Sequence, residues 1–208
     1  MNAISPPPFP YRPAPPAPRK RRLALRVTGT VLAIGAGAFL GRLAMTAFLS
    51  GPDDAGWYRL APPASFQGLV LQESGPRVDA IKQGQGARKP GTDPVAVVYA
   101  DQAGAAQLVV SGVAGAFGNG DPEHELTRGL HAMGVEGAVT QDSGTPAGGA
   151  MRCGTLAAAG TPVTLCMWAD HSSLVTVTVP VENGPVTIEA LADRTRALRK
   201  AMEVPARS

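Results

Sequence analysis

The chain has 208 residues, 19 Lys and Arg against 16 Asp and Glu, and a formal net charge of +3. Seven of the bases precede residue 43 and every acid follows residue 50, so the remainder carries 12 − 16 = −4. Its bases are scattered, apart from Arg194, Arg196, Arg199 and Lys200 on one late segment, which excludes reading the basic balance as a nucleic-acid interface.

Residues 1–22 hold eight prolines and read as a basic, disordered cytoplasmic tail of polyproline II or coil. Residues 23–49 read as a transmembrane helix. Between Arg26 and Arg42 lie 15 uncharged residues, about 22 Å of helix, which is short of a ~30 Å hydrocarbon core. The whole run Val27–Leu49 has 23 positions and is long enough, with Arg42 snorkelling to the far headgroups. The bases before the run put the N-terminus in the cytoplasm, beside anionic lipid, and the rest of the chain outside the cell membrane. A cleaved export signal is the alternative, since Arg21-Arg22 loosely resembles a twin-arginine motif; Arg42, Leu43 and Met45 crowd its cleavage pattern. Ala33, Gly37 and Gly41 lie four apart, a small-residue face suited to helix packing and so to a homodimer.

Residues 50–64 read as a linker, with Trp57 and Tyr58 placed for the membrane interface. The extracytoplasmic domain is expected over residues 65–203. A strand is expected over Phe66–Glu73, a helix over Arg77–Gln83 and a loop over residues 84–94. Val95–Ala100 and Gln107–Val113 are apolar, β-branched runs joined by turn residues Asp101–Gly104, hence a hairpin. After a Gly-rich loop, Asp121 caps a helix with Pro122 in its first turn and Leu126, Leu130 and Met133 on its apolar face. Gly134 ends that helix, and a strand over Val135–Thr140 leads into a loop.

The stretch 151–181 is the most tightly specified. Two thiols outside the membrane suggest one disulfide, Cys153–Cys166. Setting the two directly opposite makes paired positions sum to 319 and centres a two-residue turn between Ala159 and Gly160. Pro162 then falls on a non-hydrogen-bonded pair, where its missing N–H is not needed, and the cysteines fall on a close pair. A second turn at Asp170–Ser173 sets Val177 opposite Cys166, Val175 opposite Trp168 and Pro180 opposite Val163. One face of the sheet then carries Met151, Cys153, Cys166, Trp168, Val175, Val177 and Val179. The other carries Leu156, Val163, Leu165, Met167 and Leu174 and awaits a helix. The last helix is expected from Pro185 to Met202, with Ile188, Leu191, Thr195, Leu198 and Met202 facing inward and Asp193, Arg194, Arg196, Arg199 and Lys200 on the wet side. The fold class is α+β, an antiparallel sheet of hairpins with packed helices.

Residue types for chemistry are present without a constellation. His124 and His131 lie two helical turns apart, ~10 Å, with Arg128 between them, too far to share a metal ion. Asp170, His171, Ser172 and Ser173 are consecutive in a turn and cannot form a triad among themselves. The Gly112–Gly120 segment lacks a phosphate-loop pattern. No metal, cofactor or catalytic residue is assigned. Asp142, Ser143 and Thr145 are candidates for the rim of a ligand groove.

Met151–Val179, with Cys153, Cys166, Trp168, Ala169 and Asp170, resembles actinobacterial single-pass membrane proteins with a Cys-pair extracytoplasmic domain; Val109–Glu125 matches as well. The resemblance implies location and a disulfide and brings no catalytic residue. The expected function is a membrane-anchored extracytoplasmic interaction module, non-catalytic, with membrane lipid and an envelope protein or ligand as partners and no nucleic acid. The alternative is an envelope hydrolase or ligand sensor with a cleft near Asp142, Asp170 and His171.

Overall fold

Alternating apolar positions on long β-branched runs demand a sheet with both faces covered, and helices of three different ages in the chain supply the cover. The computed structural model describes residues 57–117, 120–158 and 161–206. The run Val27–Leu49, including Ala33, Gly37 and Gly41, lies outside the described residues. Among the described residues no helix is long and apolar enough to cross a membrane.

The strands are β1 (Tyr58–Leu60), β2 (Ser65–Phe66), β3 (Leu69–Gln72), β4 (Thr92–Ala100), β5 (Ala106–Gly115), β6 (Val135–Gln141), β7 (Ala150–Ala158), β8 (Thr161–Ala169), β9 (Ser173–Thr178) and β10 (Glu203–Pro205). The helices are α1 (Pro76–Gln85), α2 (Pro122–Ala132) and α3 (Ile188–Met202), with a 3-10 turn at Val181–Asn183. An antiparallel sheet of eight strands runs β2-β3-β4-β5-β9-β8-β7-β6, and β1 pairs with β10 in a separate ribbon. The class is α+β, as the hairpin pattern implied.

One face of the sheet packs under α3 and the ribbon. Tyr99, Leu108, Val110, Met151, Cys153, Cys166, Trp168, Val175 and Val177 meet Leu191, Leu198 and Met202 there. On the opposite face, Leu165, Met167 and Leu174 meet Leu126 and Leu130 of α2, and Ala96 and Val98 meet Val78 and Ile81 of α1. Asp121 caps α2 by accepting the Glu123 N–H at 3.0 Å, and Thr187 caps α3 by accepting the Ala190 N–H at 3.2 Å.

The register read from Pro162 and the cysteines holds throughout. Cys153 faces Cys166, Ala157 faces Pro162 and Ala158 faces Thr161; across the next pair Cys166 faces Val177 and Trp168 faces Val175. The disulfide Cys153–Cys166 closes across strands with Cα atoms 4.1 Å apart, the separation of a close, non-hydrogen-bonded pair. That ladder ends at Leu165 and Thr178, so Pro180 and Val163 are not paired.

Other expectations change as well. Phe66–Glu73 is not one strand but a tight hairpin: Gln67 and Gly68 adopt φ of 50° and 79°, the paired positive values of a two-residue turn, and Phe66 pairs with Leu69. The stretch read as linker contains β1, whose partner Glu203–Pro205 comes from the other end of the chain. Arg199, assigned to the wet side of the last helix, is fully buried. It stands four residues after Thr195 and eight after Leu191, on the inward stripe itself.

Candidate functional site

A guanidinium on the buried stripe of α3 must find acceptors for its donors or destabilise the helix that carries it. Arg199 finds them on three separate segments. Its Nε donates to Glu203 Oε2 at 2.9 Å, one helical turn on, where α3 gives way to β10. Nη1 donates to the Ser143 carbonyl at 3.1 Å and Nη2 to the Gly148 carbonyl at 3.1 Å. Nη2 also meets Asp170 Oδ2 at 3.1 Å.

Both carboxylates are held in turn. Asp170 Oδ1 accepts the N–H groups of Ser172 at 2.7 Å and Ser173 at 2.6 Å, the side-chain turn that Asp favours at this position. Glu203 Oε1 accepts from Trp168 Nε1 at 2.6 Å and from Ser173 Oγ at 2.5 Å. Two carboxyl groups thus share one guanidinium, with Glu203 fully enclosed and Asp170 mostly so. Burial pushes the Glu203 carboxyl above its ordinary range and the Asp170 charge adds to the rise, while Arg199, Ser173 and Trp168 oppose it.

The geometry does one thing clearly: it fixes the loop 142–149 to the end of the sheet. Arg199 binds that loop near both ends, and Arg196 Nε donates to the Asp142 carbonyl at 3.1 Å. Gly149 closes the loop against the 170–172 turn. Its φ is +74°, and a Cβ there would lie 2.5 Å from the Ala169 carbonyl oxygen and 2.9 Å from Asp170 Cβ. The tip, Thr145 and Ala147, is exposed.

The candidates from sequence fall as follows. Ser143, by its carbonyl, and Asp170 do come together through Arg199, whereas Asp142 is held by Arg196. Asp142 itself is exposed, its Oδ1 accepting the Gly144 N–H at 3.0 Å. His171 is half-buried, and its carbonyl accepts the Phe117 N–H at 2.9 Å. Ser172 and Ser173 are buried; Ser172 Oγ accepts the Tyr58 N–H at 3.3 Å, and Ser173 Oγ is bound to Glu203. A serine so enclosed cannot reach a substrate, although it touches a carboxylate.

His124 and His131 are exposed on α2, and among the described residues no group of three or more His, Cys, Asp or Glu is placed to hold a metal ion. Gly112 belongs to β5, where a Cβ would lie 2.7 Å from Val175 Cγ2; it serves close strand packing. A second polar cluster ties α2 to the edge of the sheet. Glu123 Oε1 accepts from Thr140 Oγ1 at 2.7 Å and from Arg152 Nη1 at 3.3 Å, and Arg152 Nη2 donates to the Ala138 carbonyl at 2.8 Å.

Sequence reasoning missed Arg199 and Glu203. The available signal was helical spacing: position 199 continues the 191-195 row, and 203 follows four later. The fold and this site define a helix-covered antiparallel α+β domain whose deepest charge cluster anchors a surface loop. No protein-family model, curated protein or solved structure matches the chain.

Proposed function

We propose that this chain is a single-pass, membrane-anchored extracytoplasmic interaction module, non-catalytic, that offers loop 142–149 to a protein or other component of the cell envelope. The observation that carries the reading is the use made of Arg199. A buried guanidinium serves internal ion pairs or the recognition of anionic ligands; here its bonds go to two loop carbonyls and two internal carboxylates. The loop is therefore held in a fixed shape before any partner arrives, which lowers the ordering cost of binding. The Cys153–Cys166 disulfide supports an oxidising compartment. The run Val27–Leu49 and the bases before it support the anchor and its orientation.

A photo-crosslinking residue at Ala147, in living cells, tests the reading. The expected result is one discrete adduct that disappears when Gly149→Ala forces the loop off the 170–172 turn, with no adduct from the same probe at Gln102, in the β4–β5 turn at the opposite end of the sheet. Equal adducts from Ala147 and Gln102, or none from either, would overturn it.

A further inference from the structure

The end of the sheet where the chain enters the fold carries a side chain that the packing leaves out. Trp57 is 59% exposed, more than Val70 or Val139, the other exposed large apolar side chains among the described residues. Its backbone is nonetheless fixed. The Trp57 carbonyl accepts the Ala206 N–H at 2.6 Å, and the next N–H, that of Tyr58, goes to Ser172 Oγ. The indole thus stands on an ordered ribbon end. Ser172 belongs to the 170–172 turn, and Asp170 of that turn shares Arg199 with loop 142–149. Both ends of the described fold, this turn and this loop therefore lie at one end of the sheet.

Only residues 50–56 separate Leu49 from Trp57. Fully extended, the eight steps from Leu49 to Trp57 reach at most about 28 Å. A domain of ~150 residues has a radius of gyration of about 15 Å and is therefore about 38 Å across. A tether shorter than the domain is wide cannot reach Trp57 if this end points away from the bilayer. Resting on the reading of Val27–Leu49 as an anchor, we infer that the end built from Trp57, the 170–172 turn and loop 142–149 lies against the lipid interface, with the Trp57 indole seated at headgroup level. Indole suits that layer, having an apolar body and one N–H donor. Loop 142–149 then meets its partner at the membrane surface and not at a distance from it.

The chain has two tryptophans, and the second, Trp168, is wholly buried. That makes a direct test available. The full chain is reconstituted into vesicles of phosphatidylcholine and phosphatidylglycerol, with or without bromine on the acyl chains, and its emission is compared after flotation. The expected result is loss of the Trp57 component in brominated vesicles, and no loss in the Trp57→Phe variant, where only Trp168 emits. A chain that floats with the vesicles but emits equally in both would overturn the lipid contact and leave the anchor standing. A chain that does not float would overturn the anchor and this inference with it.

Discussion

Replacing Arg199 with Met keeps the unbranched stem and removes the charge, which isolates what the guanidinium does. The enclosed Glu203 and the largely enclosed Asp170 would then lose their cation, and the Ser143 and Gly148 carbonyls would each lose a donor. Arg199 and Glu203 side chains are both 0% exposed, so solvent cannot compensate. Breaking a buried pair from one side costs about 3–5 kcal/mol, roughly a fifth or more of the ~5–15 kcal/mol that holds an ordinary domain together. Adding Glu203→Leu removes the second charge. Asp170 keeps its two backbone donors and Trp168 Nε1 keeps Ser173 Oγ at 3.1 Å. The double variant should therefore recover more than half of the loss, because apolar replacement of a whole buried pair is often close to neutral. Urea unfolding in a Trp57→Phe background, read by Trp168 emission, measures both. A single-variant loss below about 1 kcal/mol, the range of exposed pairs, would mean that Arg199 is solvated and the loop is held by something else.

Glu203 gives a pH signature. Its folded-state pKa is raised by burial above the ordinary 4.5, so the folded state binds this proton more tightly than the unfolded chain. The contribution is complete below the ordinary value and is lost as pH rises through the raised one. Glu203→Gln should remove that decline while lowering stability overall, since whichever way its amide turns its N–H meets a donor, Arg199 Nε or Trp168 Nε1; an unchanged pH profile would refute the shift. Intact mass after alkylation without reductant should show no modified cysteine. Replacing Cys153 and Cys166 with Ser should cost roughly 2–4 kcal/mol in urea unfolding, from the freed loop in the unfolded chain. Gly154→Ala puts a Cβ 2.5 Å from Val135 Cγ1 and 3.1 Å from Ala138 Cα, so overpacking of about 1–3 kcal/mol and a lower melting temperature are expected.

What the sequence made legible was local and parity-based. Pro162 and the two cysteines set the β7–β8 register because a strand has a period of two and one slip would turn every core residue outward. The helix caps Asp121 and the apolar stripes of α2 and α3 follow from spacing alone. The tight turn at Gln67-Gly68 escaped because Phe66 and Leu69–Leu71 read as one apolar run, and only two residues divide them. β1 escaped because its partner lies at the far end of the chain, beyond any local pattern. Arg199 was misread because charge was allowed to outvote position. Nothing near residue 199 in sequence announces its acceptors at Ser143, Gly148 and Asp170, which lie 29 to 56 residues away.

Placement of loop 142–149 outside the membrane is tested most directly by a single new thiol at its tip. In intact cells, Ala147→Cys exposed to a membrane-impermeant maleimide should be labelled as fully as after permeabilisation. The native cysteines stay silent because they are bonded to each other. Labelling that appears only after permeabilisation would put the loop in the cytoplasm and contradict the orientation, the oxidising compartment and the partner class together.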